Sequence, residues 1–347
     1  MNRKLAPALI LVFVAALSVI VVLPAFAYNP DFWTAKTPPP IPLVPKSGQA
    51  AVFDGKIYVL CDSDQFEMYD PNNNTWIQKA PLPVQQDALA VCGDKIYAMG
   101  ASNVFLAYDP ANDSWTAKAA MPLGLADCQA NVVDGKIYVM GGIFALSVGA
   151  ETLDSNFAYD PQHDLWSILA PIPVAVGRFA SAVVDGKIYL MGGYHTNGWQ
   201  NIWQNVPPVA ATNAVQIFDP EMNSWSQGTP MPSNMVYLAG CATTGLGAAK
   251  RIYVVGGSSP GTELSGVNLT QIYDPQTGNW SMGAPLPNGD YGLSLVNVDD
   301  RLYALGGTSG TLNIMYTPEG WHVPSSSPSP SPSPTEQPAV DYWNGKA

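Results

Sequence analysis

Charged residues are scarce in this chain, because Asp, Glu, Lys and Arg together make up only 12% of its 347 residues. Histidine occurs three times and arginine four times. A metal site built from several histidines, or a site that surrounds an anionic substrate with clustered arginines, has too few residues to draw on. The formal net charge of −12 disfavours nucleic acid as a partner, since binding to phosphates needs a basic surface.

Cysteine is nearly as rare, and its spacing fits none of the common cysteine motifs. The four residues are Cys61, Cys92, Cys128 and Cys241. They form neither a CxxC pair nor the spacing of a zinc site. The chain also has no HExxH motif and no glycine-rich phosphate loop. We therefore predict no metal, no cofactor and no catalytic residue, and leave open whether the thiols are free or paired.

The chain instead repeats one phrase six times, a short apolar strand with a tyrosine that runs into two small residues. The six tyrosines are Tyr58, Tyr97, Tyr138, Tyr189, Tyr253 and Tyr303. Each copy is followed by an aromatic residue, a turn and a tryptophan, as in Tyr69-Asp70-Pro71 with Trp76. A recurrence of roughly 40 to 60 residues indicates a repeat architecture.

Each repeat has the pattern of a small antiparallel sheet. Between Gln49 and Ala80, four short apolar runs with period two are separated by turn residues, which predicts a four-stranded meander. Asp-Gly pairs such as Asp54-Gly55 precede the tyrosine strand and supply the positive φ angles of a tight hairpin. One such sheet cannot bury both faces, but radially packed sheets can.

The double glycine, the spaced tyrosine and the tryptophan together resemble the kelch repeat. The resemblance covers residues 46–323 and implies an all-β fold, a six-bladed β-propeller of four-stranded antiparallel kelch blades. Units one and two depart from the pattern at the glycine pair, and unit six has Thr317 in place of the aspartate. Residues 28–45 include a segment that resembles the end of a repeat. We expect it to compete with 320–323 for the outer strand of the last blade.

Both ends of the chain point to a place outside the cytoplasm. Arg3-Lys4, an apolar run over 5–23 and the small residues before Tyr28 predict a signal peptide over 1–27. The alternative is an uncleaved anchor, which would be the only contact with a membrane. Residues 324–347 form a Pro/Ser-rich tail, typical of an extended stalk. Glycosylation sequons at four asparagines agree with a secreted or cell-surface protein: Asn73, Asn112, Asn268 and Asn279.

Long loops between the second and third strands of units three, four and five should gather on one face of the propeller. The loop of unit four is the richest in aromatic residues, and it contains Tyr194, His195, Trp199 and Trp203. Aromatic rings beside amides favour binding of a sugar or a peptide. The alternative is that the two tryptophans form the loop's own small core.

The links between blades should reach the same face. Counting nine residues back from the basic residue of the second strand gives Asp127 in unit three and Arg178 in unit four. Kelch repeats often carry arginine at the place of Arg178. Such an arginine either binds an anion or a carboxylate through two parallel N–H donors, or only donates hydrogen bonds to the carbonyl groups of its blade.

We therefore predict a non-catalytic binding module whose ligand, a protein or a glycan, docks at the loop face. One alternative is a carbohydrate-active enzyme similar to the kelch sugar-acid mutarotases. In that case Arg178 would hold the anion, and Asp127 or His195 would transfer a proton. A structural role at the cell surface is the third hypothesis.

Overall fold

The computed structural model describes residues 30–44, 46, 48–146, 149–196, 210–259 and 264–323. Within these ranges the strands form six four-stranded antiparallel sheets and two short hairpins. The first strand of each sheet contacts the first strand of the next, and that of the sixth sheet contacts that of the first. The sheets are therefore the blades of a six-bladed β-propeller, as predicted.

The first three blades are continuous in sequence. Blade one contains Ala50–Phe53, Lys56–Leu60, Phe66–Asp70 and Thr75–Lys79. Blade two contains Ala88–Cys92, Lys95–Met99, Leu106–Asp109 and Ser114–Ala117. Blade three contains Gln129–Val133, Lys136–Met140, Asn156–Asp160 and Leu165–Ile168.

The last three blades include one strand from the beginning of the chain. Blade four contains Ala180–Val184, Lys187–Met191, Val215–Asp219 and Ser224–Gln227. Blade five contains Ala239–Ala242, Ile252–Val255, Thr270–Tyr273 and Trp280–Met282. Blade six contains Leu293–Val298, Arg301–Gly306, Leu312–Thr317 and, as its outer strand, Phe32–Ala35.

Burial follows the sequence pattern of each strand. After its first residue, Lys136–Met140 is buried throughout, because this second strand packs between two neighbouring blades. The outer strand Leu165–Ile168 faces water, and Ile168 is 76% exposed. Asp54 and Gly55 have φ angles of 49° and 67°, which are those of the tight hairpin that the Asp-Gly pair predicts.

The ring is closed by the strand near the beginning of the chain. Phe32–Ala35 pairs with Leu312–Thr317, and Trp33 lies opposite Tyr316. Trp33 therefore occupies the position that a tryptophan has in every other blade. Residues 321–323 form no strand. Of the two segments that could supply the outer strand of the last blade, the earlier one does so in the structure.

A tryptophan clasps each blade to the one before it. Its indole N–H donates to a carbonyl of the preceding blade over 2.8–3.0 Å, and the six pairs are Trp33–Ala284, Trp76–Thr37, Trp115–Ala80, Trp166–Ala119, Trp225–Ala170 and Trp280–Thr229. In five pairs the acceptor residue also donates its own N–H to an Asp or Asn beside the tryptophan. Each boundary between blades is therefore held by polar contacts as well as by apolar packing.

Two predictions from the sequence concern residues outside the described ranges. The signal peptide or anchor at 1–27 and the tail at 324–347 lie outside the described residues. Among the residues that are described, no helix is long and apolar enough to cross a bilayer.

All four cysteines have free thiols, and burial raises the pKa of Cys61 to about 12, so this thiol stays protonated.

Candidate functional site at the channel mouth

The links between blades form a hydrogen-bonded arc at one end of the central channel. Asp127, Arg178, Tyr237 and Gly292 occupy equivalent places just before the innermost strands. The N–H of Tyr237 donates to the carbonyl of Arg178 over 2.9 Å, and the N–H of Gly292 donates to the carbonyl of Tyr237 over 3.1 Å. The backbone of each blade therefore holds that of the next, and the side chains project from a fixed frame.

The backbone of this arc is left-handed. The φ angles are 51° at Asp127, 55° at Arg178 and 57° at Tyr237. Left-handed backbone costs about 1–2 kcal/mol per residue when a side chain is present. Strained backbone of this kind tends to occur at functional sites, where the surrounding structure enforces it.

Arg178 lies at the centre of the arc. Its Nε donates to Oδ2 of Asp127 over 2.8 Å, and its guanidinium carbon lies 4.1 Å from the ring centroid of Tyr237 and 5.4 Å from that of Tyr194. Its two Nη nitrogens have no hydrogen-bond partner within the described part of the chain. The carboxylate and the rings fix the guanidinium, so its Nη fork is free for a ligand.

Two tyrosine rings flank this arginine, and a third lies beside one of them. Tyr194 is 3% exposed, and its buried hydroxyl has no partner among the described residues. Burial raises the pKa of Tyr194 well above its ordinary value, so the hydroxyl remains a neutral donor and acceptor. The rings of Tyr237 and Tyr291 lie 5.3 Å apart, and burial also raises the pKa of Tyr237.

Tyr237 was not among the residues predicted from the sequence. Counting back nine residues fails in blade five, because residues 243–250 lengthen the hairpin between its first two strands. Counting back two residues from the first strand finds Asp127 before Gln129, Arg178 before Ala180 and Tyr237 before Ala239. The position of Tyr237 is therefore found by counting from the first strand of its blade, whereas counting from the second strand misses it.

Two hairpins extend from blades three and four and form a wall beside Arg178. Ile143–Leu146 pairs with Gly149–Thr152, and Tyr194–His195 pairs with Ala210–Ala211. Thr152 and Thr196 join the hairpins, since the N–H of each donates to the hydroxyl of the other over 3.0 Å. A small apolar cluster lies beneath them and consists of Ile143, Ala150, Tyr194 and Val236.

The remaining predicted residues are placed as follows. The structure brings Asp127, Arg178 and Tyr194 together. His195 lies next to Tyr194 on the hairpin strand and is half-buried, and its side chain makes no hydrogen bond or ion pair with a described residue. Trp199 and Trp203 lie within 197–209, outside the described residues.

Two further acids near the rim hold turns. Asp87 is ion-paired with Lys46 and accepts the N–H of Ala101 over 3.1 Å. Asp290 accepts the N–H groups of Tyr291 and Thr308, each over 2.8 Å. These contacts occupy the two carboxylates, which leaves Asp127 as the acid that orients the arginine.

A cavity of about 510 Å³ lies along the channel axis, surrounded by the first strands of all six blades. Its wall consists mainly of small side chains, such as Ala51, Ala90, Ala130, Ala182 and Ala239. Small side chains keep the channel open where larger ones would fill it. No group of three or more His, Cys, Asp or Glu residues with metal-site geometry occurs in the described ranges.

Comparison with known proteins agrees with the blade structure. The model of the kelch motif matches residues 124–173, 175–232 and 248–287. Mouse Kelch-like protein 35 is 30% identical over 50% of this chain and 26% of its own length. Zebrafish Kelch-like protein 15 is 25% identical over 81% of this chain and 41% of its own length. The chain thus spans less than half the length of these curated relatives.

A solved structure, that of YjhT, has a similar fold. It superposes with a TM-score of 0.65 and covers 82% of this chain and 95% of its own chain. The sequence identity is 17%, so this similarity concerns the fold alone.

Proposed function

Because the chain belongs to the kelch-repeat family of β-propellers, we propose that it is a non-catalytic binding module for a protein or glycan, which docks at the channel mouth around Arg178. One observation carries the proposal, namely that the Nη fork of Arg178 is held between two tyrosine rings and has no partner in the described residues. Kelch propellers are commonly protein-binding modules, which supports a protein partner in general.

The chemistry of the site favours a ligand that carries a carboxylate. Arginine binds carboxylates with two parallel N–H donors, and the bond is stronger where water is partly excluded. Asp127 has already fixed the Nε edge of the guanidinium, so little side-chain freedom is lost when the ligand binds. The ligand carboxylate would meet the Nη edge.

The rest of the ligand would contact the tyrosines. Tyr237 and Tyr291 are partly exposed and form an aromatic surface, which rests on the buried Tyr194 and is extended by the two hairpins of blades three and four. Tyrosine supplies a large contact area with few rotatable bonds and suits both sugar rings and peptide side chains. This surface lies on a rigid scaffold, so binding requires little reorganisation.

We place this binding outside the cytoplasm, on a secreted or surface-displayed protein. Support comes from the sequence of residues 1–27 and from the glycosylation sequons. Asn268 and Asn279 are exposed in the structure, as acceptor residues must be.

A direct test compares Arg178→Gln with the matched control Arg251→Gln. Arg251 is ion-paired with Asp274 at the opposite end of its blade, so its loss removes the same charge elsewhere. Binding would be measured on an array that holds carboxylated glycans, neutral glycans and acidic peptides. We expect binding of carboxylated members to fall at least about tenfold in Arg178→Gln and to persist in Arg251→Gln. Equal binding by Arg178→Gln and the wild type would refute the site.

One observation favours the alternative of a mutarotase-like enzyme. Asp127 lies 2.8 Å from the Nε of Arg178, so Arg178 could hold the anion of a sugar acid while Asp127 transfers a proton. NMR exchange spectroscopy of a sugar acid would detect accelerated interconversion of its anomers. Asp127→Asn should then abolish the acceleration and leave binding intact, whereas a binding module shows no acceleration at all.

A further inference from the structure

Blade six lacks an ion pair that most other blades have. The basic residue that begins the second strand pairs with the aspartate of the next turn in four blades, and the pairs are Lys56–Asp70 at 2.8 Å, Lys95–Asp109 at 3.5 Å, Lys187–Asp219 at 3.0 Å and Arg251–Asp274 at 3.2 Å. In blade three the aspartate, Asp160, contacts His163 instead. In blade six the basic residue is Arg301, and the place of the aspartate is taken by Thr317.

This exchange leaves Arg301 without a carboxylate. The register pairs Leu302 with Tyr316, so Arg301 lies across from Thr317 just as Lys56 lies across from Asp70. Throughout the described residues, no acid lies within ion-pair distance of Arg301, and its side chain donates no hydrogen bond. Its Nε is fully buried and unpartnered.

The free arginine borders a cavity with apolar walls. The cavity measures about 500 Å³ and is lined by Pro30, Phe32, Arg301, Thr317, Pro318 and Trp321. The guanidinium carbon lies 4.7 Å from the ring centroid of Trp321, so the ring holds the cation at the edge of the cavity. Phe32 is 48% exposed and forms part of the wall.

We propose that this cavity is a second ligand site, which binds a small aromatic carboxylic acid. The carboxylate takes the place of the missing aspartate and accepts hydrogen bonds from the Nη nitrogens of Arg301. The flat body of the acid packs against the rings of Phe32 and Trp321.

The site is separate from the channel mouth. Arg301 begins the second strand of blade six, whereas Gly292 of the arc precedes Leu293, which pairs with Gly306 at the other end of that strand. The second site therefore does not depend on the proposed function, and each can fail without the other.

Titration of the full chain with 4-fluorobenzoate, followed by fluorine NMR of the probe, tests the proposal. The decisive variant is Thr317→Asp, which restores the carboxylate found at this place in the five other blades. The new carboxylate should pair with Arg301 and thereby weaken probe binding at least about tenfold. The matched control is Thr317→Asn, because asparagine has the size of aspartate but no charge. This variant should bind the probe like the wild type.

Two further variants and a neutral probe complete the test. Arg301→Gln should lose binding, while Arg178→Gln at the channel mouth should retain it. The neutral probe 4-fluorobenzamide should bind more weakly than the acid. Failure of the wild type to bind, or equal binding by Thr317→Asp and Thr317→Asn, would overturn the proposal. If Arg301→Gln does not fold, the two Thr317 variants still decide the matter.

Discussion

The carboxylate of Asp31 accepts a hydrogen bond from the hydroxyl of Tyr316, a residue 285 positions further along the chain. The same carboxylate accepts the N–H of Ala284 in blade five. One side chain thus joins the closing strand to its own blade and to the neighbouring blade. Equivalent contacts in blades two and three are made by Asp113 and Asp164.

Loss of this contact should weaken closure of the ring. Asp31→Ala leaves the hydroxyl of Tyr316 without its acceptor, and an unsatisfied buried group of this kind costs about 1–3 kcal/mol. Denaturation in urea would measure the loss. Asp31→Asn is the control and should be nearly neutral, because Asn74 makes the same contacts in blade one. Equal losses in both variants would show that the charge itself is needed.

Removal of a clasping tryptophan should destabilise the whole propeller. The ring of Trp166 lies 4.9 Å from that of Phe105 in blade two, and its indole donates to Ala119. Trp166→Ala removes both contacts and should cost about 3–5 kcal/mol. Ile168→Ala on the same strand should change stability by less than about 0.5 kcal/mol, because Ile168 is 76% exposed. An unchanged melting temperature for Trp166→Ala would mean that this ring does not hold the two blades together.

Asp300 should make stability depend on pH in acid. Burial acts to raise its pKa, but backbone N–H donors of Thr244, Gly247 and Ala248 outweigh burial and lower the pKa from 3.8 to about 2. Because the pKa is lower in the folded state than in the unfolded state, the carboxylate stabilises the fold above about pH 4. This contribution is lost as the pH falls through about 2 and amounts to about 2 kcal/mol.

The variant Asp300→Asn isolates this contribution. Stability would be measured by urea denaturation between pH 5 and pH 2, in steps of about one pH unit. The variant should lose less stability over this range than the wild type. Asp94→Asn is the control, because Asp94 is exposed and, among the described residues, its side chain is paired only with that of Lys95. If the two variants have the same pH profile, the buried carboxylate does not govern acid stability.

Processing at the beginning of the chain can be read directly. If residues 1–27 are a signal peptide, mass spectrometry of the protein from its native host should find Tyr28 as the first residue. Recovery from outside the cytoplasm would agree with this result. A chain that retains Met1 or Asn2 would indicate the uncleaved anchor instead.

The fold could be predicted because its information is local. Each Asp-Gly hairpin and each apolar run specifies its own strand pair, and six repetitions specify the ring. The sequence does not decide between two closing strands, since Trp33 and Trp321 both follow a turn-like sequence. The structure favours Trp33, because Asp31 precedes it and supplies the acceptor that the clasp requires.

The site could be predicted only in part, because its contacts join different blades. Asp127 and Arg178 followed from counting within repeats, but their direct contact depends on how far each blade is rotated relative to the next. The insertion in blade five hid Tyr237. The bond between Thr152 and Thr196 joins residues 44 positions apart, and no local pattern marks it.

The closing strand has a consequence for synthesis of the protein on the ribosome. Phe32–Ala35 is made before every other strand described, yet its partner Leu312–Thr317 is made last. Until then, the early strand has no neighbour and the growing ring stays open. Pairing across such a distance is slow to form, and an unpaired strand edge invites association with other chains. We therefore expect nascent chains that stop short of residue 312 to depend most on chaperones.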